Sequence, residues 1–287
     1  MLLYLRPLFA LLALAALIQA QGAASAPATA SLSDIQHVVV LMQENRSFDE
    51  YFGELGGRPA TYDPGLDILD PVALDATNPN PSGGPPIKRF HQTLLCESSD
   101  VNHSWDGSHR QYNDGAMDGF TAENSNTPAN TSGHNMDPLD INGRRIMGYY
   151  TDQELPYYYK LFSTFAMGDR FFSSVMTQTF PNRFYLMSGT SWVDTTQPYA
   201  EATENRLPMN PLDFRGKSIF ELLDNPPDGD LAVLPNDPPV TWKVYGSEAP
   251  YAFANEYAYA RNHVPTLVVP IAQYFADAAA GTLPQVS

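Results

Sequence analysis

The sequence predicts an α/β fold, and three local patterns carry that expectation. The first is residues 35–42 (I-Q-H-V-V-V-L-M), a nearly continuous, valine-rich apolar run. Such runs mark strands covered on both faces of a parallel sheet. The second is the helix that follows. Ser47 and Glu50 form an S-x-x-E capping box, and Phe48, Tyr51, Phe52 and Leu55 recur at i, i+3, i+4 and i+7. Gly56 and Gly57 then stop it. The third lies near the other end, where short strands over 240–245 and 264–269 precede a helix from Ile271 to Ala280 closed by Gly281. Strand, short polar turn and helix in succession is the opening of an α/β unit.

Between these segments the elements follow in order. Residues 57–88 carry Pro, Gly, Asp and Asn without periodicity and read as a long surface excursion. Residues 102–120 are dense in His, Trp, Asn, Asp and Gly and read as loop. A helix is expected over about 153–165, with Pro156 tolerated in its first turn. Residues 170–176 alternate towards a strand, and Pro181 begins a helix through Met187 that Gly189 ends. Residues 205–216 and 225–239 are Pro- and Asp-rich loops. With neither repeat nor linker visible, a single domain is expected from residue 27 onward.

Residues 1–26 read as a secretory signal: Arg6 is the lone charge, an apolar stretch runs from Leu8 to Ile18, and Ala24-Ser25-Ala26 suits cleavage. The apolar stretch is shorter than the roughly 20 residues of a membrane span. The expectation is therefore a secreted or periplasmic protein with no stable transmembrane segment after cleavage. Acids outnumber bases 32 to 16, a net charge of −16. That argues against a nucleic-acid partner, which clustered Lys and Arg would hold, and weakens attraction to an anionic membrane. Cys96 is the sole cysteine, so no intramolecular disulfide forms, and a small buried hydrophobe is its expected role.

Three constellations could carry chemistry. Glu44 and Asn45 end the predicted strand, the sheet edge at which ligands bind in open α/β folds. Their carboxylate and carboxamide oxygens suit a divalent cation, although spacing alone favours a solvated turn. Thr179 precedes Pro181, Asn182 and Arg183 at a helix N-terminus, where exposed N–H groups and the dipole would hold an anion and favour a Thr alkoxide. Arg183 could add bidentate phosphate contacts. The alternative there is simpler: Thr179 as helix cap and Arg183 as a surface charge. His103 and His109 lie six apart, a weak metal pattern. His37 inside the strand, His91 on a loop, and the aromatic run Tyr157-Tyr158-Tyr159 read as structural.

Together the segments HVVVLMQENRSFDEYFG, NHSWDGSH with DGAMDGF, and MGYYTDQELPYYYKL leading to TQTFPNRFYLMSGTS resemble one family. It is the bacterial phosphoesterase family of phosphatidylcholine-hydrolysing phospholipases C and a metal-dependent acid phosphatase. The resemblance runs from about Ile35 to the last residue, with WKVY at 242–245 and AAAGTLPQVS at 278–287. It implies an alkaline-phosphatase-like central sheet flanked by helices, and a divalent metal held by Glu44, Asn45 and Thr179. It implies Thr179 as nucleophile, His103 near the phosphate, and Asn182 and Arg183 at the substrate, a phospholipid or small phosphoester. Members of that family continue past the equivalent of Ser287 with further strands, acids and histidines. The resemblance therefore also implies that residues 27–287 are the N-terminal part of one catalytic domain, with a metal site completed elsewhere. A phospholipase C-type phosphodiesterase is the leading expectation. A phosphomonoesterase and a non-catalytic head-group-binding remnant are the alternatives.

Overall fold

The computed structural model describes residues 31, 34–54, 75–96, 100–131, 137–168, 171–191, 203–205, 218–224, 240–246 and 253–287. The expected signal at 1–26 and most of the loop at 57–88 lie outside them. The chain divides into two compact units, Met1–Val39 and Val40–Ser287. In the first, Asp34 closes a turn on Ser31 through Oδ2 at 2.8 Å, after which Ile35, Val38 and Val39 are exposed.

The second unit mixes short helices with small sheets. Its described residues begin extended, with Val40, Leu41 and Met42 exposed. The strand expected over 35–42 is thus not drawn as one. A valine-rich run is buried only when both of its faces are covered, and among the described residues neither is. The N–H of Val40 does donate to the carbonyl of Ser287. Ser47 then caps α1 (Phe48–Phe52) by accepting from the Glu50 N–H at 3.3 Å, as the capping box predicts.

The region read as a polar loop holds α2 (Trp105–Tyr112), capped by Ser104, and the short α3 (Phe120–Glu123). No apolar stripe marks α2, because polar bonds hold it. The Gln111 amide donates to the Asn102 carbonyl, and Arg110 pairs with buried Glu123 at 2.8 Å. Next comes α4 (Pro156–Phe162), shorter than expected, with the proline in its first turn. Then α5 (Thr179–Ser188) ends on Gly189 in the left-handed region, φ 68°. Residues 170–176, expected to alternate towards a strand, are irregular where described.

After α6 (Ile219–Asp224), β1 (Val244–Gly246) pairs in parallel with β2 (Val268–Pro270), and α7 (Ala258–Arg261) lies within the crossover. Trp242 bridges Val286, also in parallel. These strands sit slightly C-terminal to the expected ranges. The last helix, α8 (Ile271–Ala280), closes on Gly281 as predicted. Two shorter pairings, Phe90–His91 with Gly148–Tyr149 in parallel and Thr77–Asn78 with Ile87–Lys88 antiparallel, pin the loops upstream.

Two apolar clusters hold the second unit together. One gathers Phe184, Phe220, Trp242, Ala254, Tyr257, Ala260 and Val268. The Phe184 ring, fully buried, lies 4.8 Å from Phe253 and 6.0 Å from Tyr257. The other packs Tyr150, Leu155, Tyr159 and Phe162 against Tyr51 and Phe52 of α1. Of the aromatic run at 157–159, Tyr159 is core while Tyr157 is exposed. Cys96, expected to be buried, is exposed.

A nearly buried carboxylate fastens α8 to the sheet: Asp277 accepts from Lys243 Nζ at 2.6 Å, Tyr245 OH at 2.7 Å and Gln273 Nε2 at 2.7 Å. The bonds from Lys243, Tyr245 and Gln273 push its pKa down to about 2. Truncating the ring at the other end of the core, Phe184→Ala, should cost about 3–5 kcal/mol, read as a lower denaturation midpoint at unchanged slope in urea. For Asp277, whose folded pKa is depressed, the stabilisation is complete above its unfolded value near 3.8 and fades as pH falls towards 2. Asp277→Asn should therefore flatten the stability profile between pH 4 and about 2 in acid titration followed by circular dichroism.

Candidate functional site

The site begins where the extended segment turns. The hydroxyl of Tyr158 anchors Gln43 at 2.8 Å, and Asn45 then takes a left-handed conformation, φ 66°, which reverses the chain directly after Glu44. Asn and Asp enter that region most readily among non-glycine residues. The turn brings the Glu44 carboxylate into an ion pair with the Arg183 guanidinium. Arg183 stands one helical turn beyond Thr179, so the two share a face of α5. The structure therefore assembles Glu44, Arg183 and Thr179 from segments about 140 residues apart in sequence. Burial lowers the pKa of Arg183, whose guanidinium also lies over the Phe253 ring at 5.4 Å.

Thr179 is the first residue of α5 and not its cap: Gln178 occupies the cap position and provides no side-chain cap bond. Among the described residues neither the Thr179 amide nor its hydroxyl has a hydrogen-bond partner. Both lie at the positive end of the helix dipole. Asn182 turns inward to the loop that leads to Thr179. Its amide donates to the carbonyls of Val175 and Gln178, both at 3.0 Å, and its Oδ1 accepts from the Val175 N–H at 3.1 Å. Its geometry is that of a clamp on residues 175–178.

His103 is held by its neighbours. Its Nδ1 donates to the Val101 carbonyl at 2.8 Å and lies 3.6 Å from the Asp100 carboxylate. Asn102, on one side, is buried and bonds through Oδ1 to both the N–H and hydroxyl of Ser104, on the other. His109 is separated from this role. It lies on α2, its ring tilted against Trp105 at 4.2 Å with its Nδ1 on the Trp105 carbonyl. His91 pairs with Glu154 at 2.9 Å.

A tripeptide that sequence reasoning missed lies between the two halves. Thr203 accepts from the Thr177 hydroxyl, Glu204 from the Trp105 N–H at 2.9 Å, and Asn205 from the Phe180 N–H at 2.9 Å. No periodicity marks these residues in a segment that reads as loop.

Glu44, Asn45 and Thr179 offer carboxylate, carboxamide and hydroxyl oxygens, a donor set that suits a hard cation. Glu44 Oε1 is the oxygen that meets the Arg183 guanidinium, so a cation at this donor set would share Glu44 with Arg183. Three such donors are fewer than the six or so a hard cation takes. Among the described residues no cluster of three or more His, Cys, Asp or Glu side chains forms a metal cage.

The chain matches the model of the Phosphoesterase family over residues 35–287. It is 37% identical over 198 residues to phospholipase C B of Mycobacterium tuberculosis, covering 64% of this chain and 35% of that protein. Phospholipase C A of the same organism is 31% identical over 250 residues, 80% of this chain and 41% of that protein. Hemolytic phospholipase C of Pseudomonas aeruginosa is 34% identical over 169 residues, 56% of this chain and 20% of that protein. The chain thus spans well under half the length of these curated relatives.

The turn that carries His103 depends on one glycine. A Cβ on Gly107 would lie 2.3 Å from the Asn102 Oδ1 that holds Ser104. Gly107→Ala should cost about 1–3 kcal/mol, read as a lower melting temperature, with the loss concentrated in hydrogen-exchange protection of residues 102–111.

Proposed function

The chain belongs to the phosphoesterase family, and from that premise we propose that it hydrolyses phosphoric esters as a phospholipase C-type phosphodiesterase. The observation that carries this reading is the shared face of Thr179 and Arg183 with Glu44 against it. It supplies a nucleophile, an anion-binding cation and a carboxylate in one place. The similarity to phospholipases C supports a phospholipid as substrate. An alkaline-phosphatase-like sheet, and export directed by residues 1–26, belong to the same proposal.

The phosphate is drawn by the Arg183 guanidinium and by the amide of Thr179 at the helix N-terminus. Thr179 Oγ attacks phosphorus in line, and the bond from phosphorus to the leaving oxygen breaks, which gives a phosphothreonine. The proton goes to the leaving oxygen through His103, whose Nε2 is the nitrogen left for it. Water then cleaves the phosphothreonine and restores the hydroxyl. A divalent cation held by Glu44, Asn45 and the Thr179 oxygen would neutralise phosphate charge and ease deprotonation of the hydroxyl.

A second reading is favoured by the ion pair itself. With Glu44 already neutralised by Arg183, the site can bind a head group without turning it over. One assay separates the two: a chromogenic phosphocholine ester with and without EDTA, and a chromogenic phosphomonoester beside it. Chelator-sensitive turnover that Thr179→Ala lowers by at least about a hundredfold supports the hydrolase. Faster turnover of the monoester would reassign it as a phosphomonoesterase. Phosphocholine binding with equal background in both proteins would establish the binding protein.

A further inference from the structure

The tripeptide Thr203-Glu204-Asn205 touches both halves of the candidate site, and no apolar packing explains it: Thr203 and Asn205 are exposed. Its bonds fall on the two turns that carry His103 and Thr179. At one end the Glu204 carboxylate takes the N–H of Trp105, the first residue of α2 and two beyond His103. A carboxylate suits that place, since it meets the positive end of the helix dipole.

At the other end Asn205 bonds to the residues on both sides of Thr179. The Asn205 N–H donates to Gln178 Oε1 at 2.6 Å, and Asn205 Oδ1 accepts from the Phe180 N–H at 2.9 Å. The residues on both sides of Thr179 are therefore held, while Thr179 itself is left open. Asn205 supplies from across the fold the cap bond that Gln178 does not make. The Thr177 hydroxyl on the Thr203 carbonyl adds a third tie, two residues before Thr179.

We propose that residues 203–205 are a positioning strap that fixes the His103 turn relative to the Thr179 turn, with Glu204 and Asn205 as its two anchoring side chains. The proposal rests on the assignment of Thr179 and His103 above for its effect on turnover, but the mechanical coupling stands on the hydrogen bonds alone. Neither side chain touches the substrate. The strap acts by holding nucleophile and proton carrier at a set separation, and small misplacements of such groups are costly.

The test uses the full chain with 15N-labelled phenylalanine and tryptophan, so that the Phe180 and Trp105 amides report on the two turns. Four variants are compared with the wild type: Glu204→Ala, Glu204→Gln, Asn205→Ala and Asn205→Asp. If the strap couples the turns, Glu204→Ala moves both the Trp105 and the Phe180 amide resonances, and Asn205→Ala moves both as well. Gln at 204 and Asp at 205 retain an acceptor oxygen and should leave them close to wild type. In turnover of the chromogenic phosphocholine ester, each alanine variant should lower kcat about tenfold at nearly constant KM and melting temperature, with recovery in Glu204→Gln and Asn205→Asp. Amide shifts confined to the substituted end would overturn the strap. A wild-type chain without turnover would sink the hydrolase reading instead, and the amide shifts would still decide the coupling.

Discussion

Phe184 sets the orientation of the helix on which the candidate site is built. Its ring is fully buried between Phe253 and Tyr257, and the Tyr257 hydroxyl reaches back to the Ser188 hydroxyl on the same helix. One face of α5 is thereby committed to the core. Thr179 and Arg183 occupy a different face by helical geometry alone, and Arg183 meets Glu44 there. The inward side determines what the outward side can offer.

The electrostatics follow the same division of labour. Glu44 and Arg183 neutralise each other at a half-buried position, where an isolated charge would be costly. Arg110 and Glu123 do so beneath the His103 turn. Both pairs are chemically like the Lys243–Asp277 pair, but they differ in what surrounds them. Asp277 has its lone pairs filled by Lys, Tyr and Gln donors and is a closed structural joint. The Glu44–Arg183 pair, made through Oε1, keeps its side chains 25% and 30% exposed.

The elements legible in the sequence are those whose cause is local. Ser47 with Glu50, Pro156, Gly189 and Gly281 each act within one helical turn, and the helices they punctuate are found at or near the expected places. The valine-rich run over 35–42 failed as a strand because burial on two faces is a property of its surroundings. Helix α2 was read as loop for a related reason: its support comes from Asn102, Ser104 and Glu123, polar groups that leave no apolar period. The pairing of Glu44 with Arg183 was invisible to spacing, as were the ties through 203–205, since each joins distant positions by a bond that only the folded chain creates. The resemblance could nominate Glu44, Arg183 and Thr179 individually, while the pairing of Glu44 with Arg183 is a fact of three-dimensional structure.

The left-handed turn at Asn45 narrows what that position can become. A β-branched or bulky side chain at φ 66° would press its Cβ against the following carbonyl, at about 1–2 kcal/mol. Glycine would relax the backbone but remove the carboxamide oxygen beside Glu44. Aspartate would tolerate the turn but set a second negative charge next to that of Glu44 and remove the amide donor. Each exchange that satisfies the backbone changes the donors or the charge, and each that preserves a large polar group strains the turn. The alphabet open to residue 45 thus contracts to asparagine from two independent directions, so drift at this position is constrained by geometry as firmly as by chemistry.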